Sequence, residues 1–515
     1  MSAEQGVLIA SGDAGGAAAP TPPPPRGKPR LKQVNRQQMV WRAIDVEHLI
    51  DADHPARAIW DLLGRLNLEN FSAGIKAVEG RPGRDCSDPR LVIALWLYAL
   101  SRGVREARAL DTWAQYEPGC QWLLGLGRIN YHTLSDFVTA QASALDQLFV
   151  ELLHVLMSEG LADLERVAHD GTKIHAAASS KSFKRQARLA ECRKLAEEHL
   201  AALDKERGQE ASAARRQAQQ RAARERRERL CAAEAELKRQ QAEKAAAEQA
   251  AVRVSMTDPE ARKMRQADGG FAPSYNAQIS TDDRQGVIVG YDLTPAGEDS
   301  GELAAAQERI KCNTGQAPKQ LLIDGGYTTR QNILDAAQGP SELIGSLGED
   351  RSQAKLRRQG VSPEFFSDHF VFDAQRNQYT CPAGKMLVFK RSQKRVGATE
   401  KRYEARANDC QSCPFRTPCC PGKQPRGRLV FRTEEHPQVV AFRAKMQRDE
   451  YRQIYRRRSQ VAEFSNACLK EKRGLRKFLR RGLKKGRSEL AWACLSCNVA
   501  IWVRRVWKVS RPPAA

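Results

Sequence analysis

Two short apolar runs each deliver an aspartate to a glycine. One is Arg166-Val167-Ala168-His169-Asp170-Gly171-Thr172-Lys173-Ile174; the other is Gln320-Leu321-Leu322-Ile323-Asp324-Gly325-Gly326-Tyr327. Read as buried strands, they place a carboxylate near a strand end, where glycine lets a ligand or another backbone approach. The plain alternative is that each Asp starts a turn, because Asp-Gly is a strong turn pair. A third acid, Glu463, sits in a helical context ahead of a basic run: from Lys470 to Arg487, ten of eighteen residues are Lys or Arg. Taken alone, Glu463 reads as a surface ion pair with a nearby arginine. Three converging carboxylates repel unless a cation offsets them. Two Mg²⁺ ions about 4 Å apart do so, activating a water or hydroxyl and stabilising the leaving oxygen in phosphodiester chemistry. His169 adjoins Asp170, and strand neighbours point to opposite faces, so it reads as packing or support behind the site.

Thiols offer a second chemistry. Of 13 cysteines, five fall in one stretch: Cys381-Pro382-Ala383-Gly384, Cys410-x-x-Cys413 and Cys419-Cys420. Cys381, Cys410, Cys413 and Cys419 could hold a tetrahedral zinc. The pattern is irregular, since Cys381 stands alone and five residues separate Cys413 from Cys419. The alternative is reduced structural cysteines. The other eight are scattered and read as small apolar packing. An odd count, with no charged-then-apolar N-terminal signal, points to reduced thiols or a metal site rather than a disulfide framework.

These groups need elements to position them. At 515 residues the chain has room for two to four domains. A formal net charge of +23 points to a polyanion, most economically a nucleic acid. An anionic membrane surface would also attract that charge, but there is no uninterrupted apolar run of about 18 residues. The expected location is the cytoplasm.

Residues 1–35, rich in Ala, Gly and Pro, read as a disordered arm. Residues 36–160 read as helices. One starts at Asp53-His54-Pro55, one runs from Arg90 to Arg102 after Ser87-Asp88-Pro89, one covers Arg105 to Tyr116, and one covers Thr133 to Met157. Apolar almost all round, the Arg90 helix should be central. Such a bundle could dock DNA through a helix-turn-helix pair or be plainly structural. Residues 161–180 carry the first strand. Residues 181–253 (Ala, Arg, Lys, Glu, Gln) read as a long helix or helical hairpin, coiled-coil-like, with Leu230 and Leu237 one heptad apart. Residues 254–348 read as a hairpin (Ser274 to Thr281, then Val287 onward), a helix capped by Asp299-Ser300, the Asp324 strand, a helix and a strand near Leu343-Ile344. That order indicates a mixed sheet with helices on its faces. Residues 349–435 are a Cys-containing insertion. Residues 436–507 read as a long helix, Pro437 to Arg473, stopped by Gly474, then a final helix, Ser488 to Trp507. Residues 508–515 are a tail. Glu463 and Lys470, two turns apart, should share a helix face.

Together, Asp170-Gly171-Thr172, Asp324-Gly325-Gly326-Tyr327 and Tyr455-x-x-Arg458-x4-Glu463-x6-Lys470 resemble the three acidic motifs of DDE-type bacterial insertion-sequence transposases. Asp88 to Leu100, Trp122-Leu123-Leu124-Gly125-Leu126 and Thr133-Leu134-Ser135 resemble the helical N-terminal domain of one large group, and the Cys-containing insertion resembles that of its eleven-eighty-two branch. The family commonly has three residues between its Arg and its Glu; this chain has four. The resemblance spans about residues 40 to 505.

The resemblance implies an α/β catalytic domain, ribonuclease H-like, with a mixed sheet and helices on both faces, beside an all-α N-terminal domain and a helical insertion. It implies that Asp170, Asp324 and Glu463 hold two Mg²⁺, with Tyr455, Arg458 and Lys470 positioning DNA. The implied activity is cleavage at transposon ends and strand transfer into target DNA, in a bacterial, nucleoid-associated setting. The implied partners are double-stranded DNA, as terminal inverted repeats and target, and a second copy of the chain in a homodimeric synaptic complex. The alternatives are a non-catalytic DNA-binding regulator and a related nuclease without strand transfer.

Overall fold

The computed structural model describes residues 37–39, 41, 43–73, 75, 77, 85–140, 142–205, 213–346, 351–422 and 426–510. The arm expected over 1–35 lies outside them. Residues 46–515 group as one compact unit. No helix among the described residues is long and apolar enough to cross a membrane.

The first half is helical: α1 (Pro55–Leu63), α2 (Pro89–Ser101), α3 (Ala107–Ala114), α4 (Pro118–Leu124), α5 (Tyr131–Ala140) and α6 (Ala142–Ser158). Local chemistry sets the starts. Asp88 accepts the Arg90 N–H at 2.8 Å, and Pro89 follows it in the first turn, where its missing N–H costs nothing. All of Val92 to Leu100 is buried, so α2 is the centre of the bundle, as its composition predicts. The sequence pattern did not reveal α4, a short helix that Glu117 caps by accepting the Cys120 N–H at 2.7 Å. The stretch expected as one helix over Thr133 to Met157 is helical on both sides of residue 141, which lies outside the described residues.

β1 (Arg166–His175) follows. A helical hairpin, α7 (Gln186–Lys205) and α8 (Ala213–Ala242), then closes on a thin seam of Leu189, Cys192 and Ala196 against Leu230, Ala233 and Leu237. Next come β2 (Arg262–Arg265), β3 (Phe271–Asp282), β4 (Ile288–Thr294), α9 (Leu303–Thr314), β5 (Gln320–Ile323), α10 (Arg330–Ala336) and β6 (Glu342–Gly345). The expected Asp299 cap is replaced: the residue before α9 is Glu302, and Asp299 is held elsewhere by side-chain amides.

The strands form a six-stranded mixed sheet ordered β2-β3-β1-β5-β6, with β4 on β3. β1 runs antiparallel to β3 and parallel to β5, in a register that pairs Ala168 with Leu322. The insertion folds as a second, five-stranded antiparallel sheet that sequence reasoning did not foresee: β7 (Val371–Asp373), β8 (Gln378–Thr380), β9 (Met386–Arg395), β10 (Ala398–Ala405) and β11 (Leu429–Glu435).

The long helix expected from Pro437 breaks at Arg448, whose backbone is extended (φ −71°, ψ 141°), giving α11 (Pro437–Gln447) and α12 (Asp449–Ala467). A π-turn, Cys468–Lys472, follows, and Gly474 stops it at φ +64°. α13 (Leu483–Trp502) begins before the expected Ser488.

α12 covers one face of the six-stranded sheet; α9 and α13 pack on β4. Almost wholly buried, α13 also packs on α2 and α6, so one continuous core runs from the bundle into the sheet. Asn498 makes the join specific. Its Oδ1 accepts the Ile288 N–H at 2.9 Å and its Nδ2 donates to the Ile288 carbonyl at 2.8 Å, mimicking a strand partner. Cys468 and Cys497 are joined by a disulfide across the same region, with Cα atoms 6.4 Å apart; the cysteine count pointed to reduced thiols instead. Replacing Asn498 by Leu strands two buried backbone groups and is expected to cost about 3 kcal/mol, read by urea unfolding. A loss under about 0.5 kcal/mol would mean that the pairing is incidental.

Candidate active site

The parallel register of β1 and β5 builds the site. Side chains alternate along a strand, so Ala168 and Leu322 face the same side, and two residues on, so do Asp170 and Asp324. Ala168, Leu322 and Ile344 form a small apolar cluster with Tyr451, Ile454, Tyr455 and Val461. That packing seats α12 over the strand tips. Ser465 of α12 adds a buried bond to Thr281 of β3, at 2.9 Å.

Seated there, α12 turns Arg458 and Asn466 toward the acids. Arg458 Nη2 donates to Asp170 Oδ1 at 2.7 Å and stands 3.9 Å from Asp324 Oδ2. Asn466 Nδ2 donates to Asp170 Oδ2 at 3.0 Å. Burial raises the Asp170 pKa; the Arg458 charge pulls it back, and the Asp324 charge raises it again. Asp324 has two roles. Its Oδ1 accepts the N–H groups of Gly326 (2.8 Å) and Tyr327 (3.3 Å), the turn that an Asp-Gly pair predicts, and its Oδ2 faces Arg458.

Glu463 is exposed, and among the described residues it does not form with Asp170 and Asp324 a group of three acids placed to hold a metal. Helical geometry gives the reason. Each residue advances about 100° round the axis, so the position four beyond Arg458 shares its face. That position is Ala462, which is buried. The fourth intervening residue carries Glu463 one step past it, toward solvent. Between Glu463 and Lys470 the helix passes into a π-turn, Cys468–Lys472, which alters the regular two-turn spacing of the pair.

The remaining expected residues divide. Tyr455 is partly buried in the apolar cluster and packs rather than projects. Lys470 is half-buried; burial lowers its pKa, and the Asp170 charge raises it. Beside Asp170, an open groove is lined by Gly171, Thr172, Lys173, Arg265, Gln266 and Lys470. Arg265 and Asn466 were missed from sequence. Asn466 sits eight residues, two buried-face steps, beyond Arg458; no sequence signal marked Arg265.

Behind β1 lies a polar cluster on the opposite face. His169 is buried, with Nδ1 2.9 Å from Ser280 Oγ and Nε2 2.9 Å from Gln278 Oε1. The Tyr327 hydroxyl also donates to Gln278 Oε1, and Asp299 Oδ1 accepts from Asn276 Nδ2 at 2.6 Å and Gln278 Nε2 at 3.0 Å. Gly171 leaves room for this group, since a Cβ there would stand 2.3 Å from Asp299 Oδ1. His169 therefore supports the strand from behind, as the alternation predicts.

Two tests follow from this geometry. Burial lowers His169 from its ordinary 6.5 to about 4. The fold holds the neutral ring, so the contribution is whole above about pH 6.5 and is lost as pH falls toward 4, by about 3 kcal/mol in total. His169→Gln should flatten that part of the stability–pH curve in urea unfolding; an unchanged curve would contradict the assignment. Arg458→Ala removes the only cation bonded to Asp170 among the described ion pairs and should destabilise the chain by about 3 kcal/mol, with Mg²⁺ or Mn²⁺ restoring part of the loss. Unchanged stability, with or without divalent cation, would contradict it.

Oxygen donors on two adjacent carboxylates suit a hard divalent cation, and Arg458 already occupies the place of positive charge between them. Among the described residues no three acids, histidines or cysteines form a ready metal-holding group. Residues 380–502 match the family model described as "Transposase DDE domain". The match contains the second sheet from Thr380 on, α11, α12 and all of α13, and excludes Asp170 and Asp324. No curated protein matches the chain. Among solved structures, the chain is similar to the piggyBac transposase in a synaptic complex with hairpin DNA, at 8% identity and TM-score 0.32, over 90% of this chain and 76% of that one; likeness at that level carries no structural argument.

Proposed function

We propose that the chain is a DDE transposase with a ribonuclease H-like catalytic domain. The carrying observation is the pair Asp170 and Asp324, side by side at neighbouring parallel strands under α12, with a cation between them. The domain match over residues 380–502 supports it independently, because it rests on the other end of the site.

In this reading Asp170 and Asp324 hold the divalent metal. Two Mg²⁺, when bound, supply an activated oxygen nucleophile and a stabilised leaving oxygen. Arg458 has to leave Asp170 to make room, and its guanidinium is then free to hold a phosphate. Glu463, carried by the same helix as Arg458 and Asn466, would serve as the third carboxylate. Lys470, Lys173 and Arg265 line the groove that leads from Asp170 and fix the DNA backbone as point charges, without reading sequence. Tyr455 positions DNA through the helix it anchors. The reaction is hydrolysis of a phosphodiester at the element end, then attack of the freed 3′-hydroxyl on target DNA. The helical bundle binds the terminal inverted repeats, and a homodimer brings two ends together.

One observation favours a second reading: Glu463 faces solvent while Arg458 neutralises the acid pair. A DNA-binding protein without cleavage would look like this. The two readings part in one assay. With Mg²⁺ or Mn²⁺, the purified chain should nick DNA carrying its element's ends. Asp170→Asn and Asp324→Asn should each lower nicking by at least about 10³-fold, while salt-sensitive DNA binding persists. Nicking unchanged in both variants, or absent from the wild-type chain, would remove the transposase reading.

A further inference from the structure

We propose that Cys381, Cys410, Cys413 and Cys419 bind one zinc ion, and that this ion fixes the fold of the second sheet where its apolar core cannot. The proposal does not depend on the chemistry at Asp170.

The core of that lobe is small. Among the described residues, Phe370, Leu387, Tyr403, Ala405 and Val430 are its buried apolar residues, and a second cluster adds Val361, Phe365 and Phe366. Along β9 every residue but Leu387 is exposed. A stretch of some 80 residues with so little buried apolar surface usually needs a disulfide or a metal for stability. None of its five cysteines is disulfide-bonded.

Four of those cysteines line one cavity, which Leu387 and Ala405 also border. Two of the sulfurs are already addressed by backbone donors. Cys381 sits in a tight turn just past β8: its N–H donates to the Lys385 carbonyl at 2.9 Å, Gly384 N–H donates to the Cys381 carbonyl at 2.8 Å, and Lys385 N–H points at Cys381 Sγ at 3.3 Å. Gly384 closes that turn at φ +75°, a conformation that favours glycine. Arg428 N–H points at Cys410 Sγ, also at 3.3 Å. Amide N–H groups aimed at sulfur are what stabilise a thiolate ligand.

Charge agrees. Four thiolates on Zn²⁺ leave a net −2, which needs a nearby cation. Arg428 borders the cavity, is 8% exposed, and keeps a buried Nε without a partner. Soft thiolate donors select zinc over magnesium or calcium. Cys420 does not line the cavity, although its sulfur is 3.9 Å from that of Cys419. As placed, no three of the thiols among the described residues stand in ligating geometry. Each cysteine swings its sulfur about one bond, χ1, and binding asks for that rotation and the release of the thiol protons.

The test uses the full-length chain, purified without chelator. Metal analysis should find one zinc per chain, and Co²⁺ exchanged into the site should show the visible absorption of tetrahedral thiolate coordination. Cys381→Ser and Cys413→Ser should lose the metal and expose residues 349–435 to protease; Cys420→Ser and Cys312→Ser should keep both metal and protection. Chelator treatment of the wild-type chain should reproduce the protease sensitivity, and added zinc should reverse it. A wild-type chain without zinc, or zinc retained at full occupancy in Cys413→Ser, would overturn the proposal. Loss in Cys420→Ser with retention in Cys419→Ser would overturn the assignment of the fourth ligand.

Discussion

Two carboxylates on neighbouring parallel strands repel one another, and the guanidinium of Arg458 is what permits Asp170 and Asp324 to sit together. Much of the molecule serves that contact. The register of β1 and β5 aligns the acids, the apolar cluster of Ala168, Leu322 and Ile344 seats α12 above them, and the Thr281–Ser465 bond holds the helix against β3. Asn466 then takes the second oxygen of Asp170. Breaking one partner of such a buried pair costs more than forming it yields, because the other charge is left without compensation. The helix is thereby locked to the strand tips by electrostatics as much as by packing.

The surplus positive charge is distributed to match. Lys173 and Arg265 from the sheet and Lys470 from the π-turn border one open groove beside Asp170. The helix that follows is anchored differently. Arg473 is buried, donates to the Ser496 carbonyl at 2.8 Å, and has its pKa lowered to about 10 by burial alone. Arg487 of α13 pairs with Asp146 at 2.8 Å and Asp292 at 3.1 Å, linking bundle and sheet. The basic run thus divides into residues that present charge to a polyanion and residues that fasten α13 into the core.

Much of this was legible before the structure. Strand alternation separated Asp170 from His169, heptad spacing marked Leu230 and Leu237 as one buried seam without deciding between a long helix and a hairpin, and an all-apolar stretch marked α2 as central. What was not legible depended on phase or on context. A periodic pattern does not show that Arg448 leaves helical geometry, nor that the helix passes into a π-turn before Lys470. The second sheet escaped notice because its strands are short or charged, and exposed strands carry no apolar alternation to read. Asp299 looked like a helix cap because its neighbours in sequence are cap-like; in space its partners are Asn276 and Gln278, more than twenty residues away.

The most direct test is to locate Mn²⁺ by anomalous scattering in crystals of the chain bound to a DNA end. The account predicts a peak bonded to the carboxylates of Asp170 and Asp324, with the Arg458 guanidinium withdrawn from Asp170. Arg458 still spanning the two acids, with no metal at either, would contradict it.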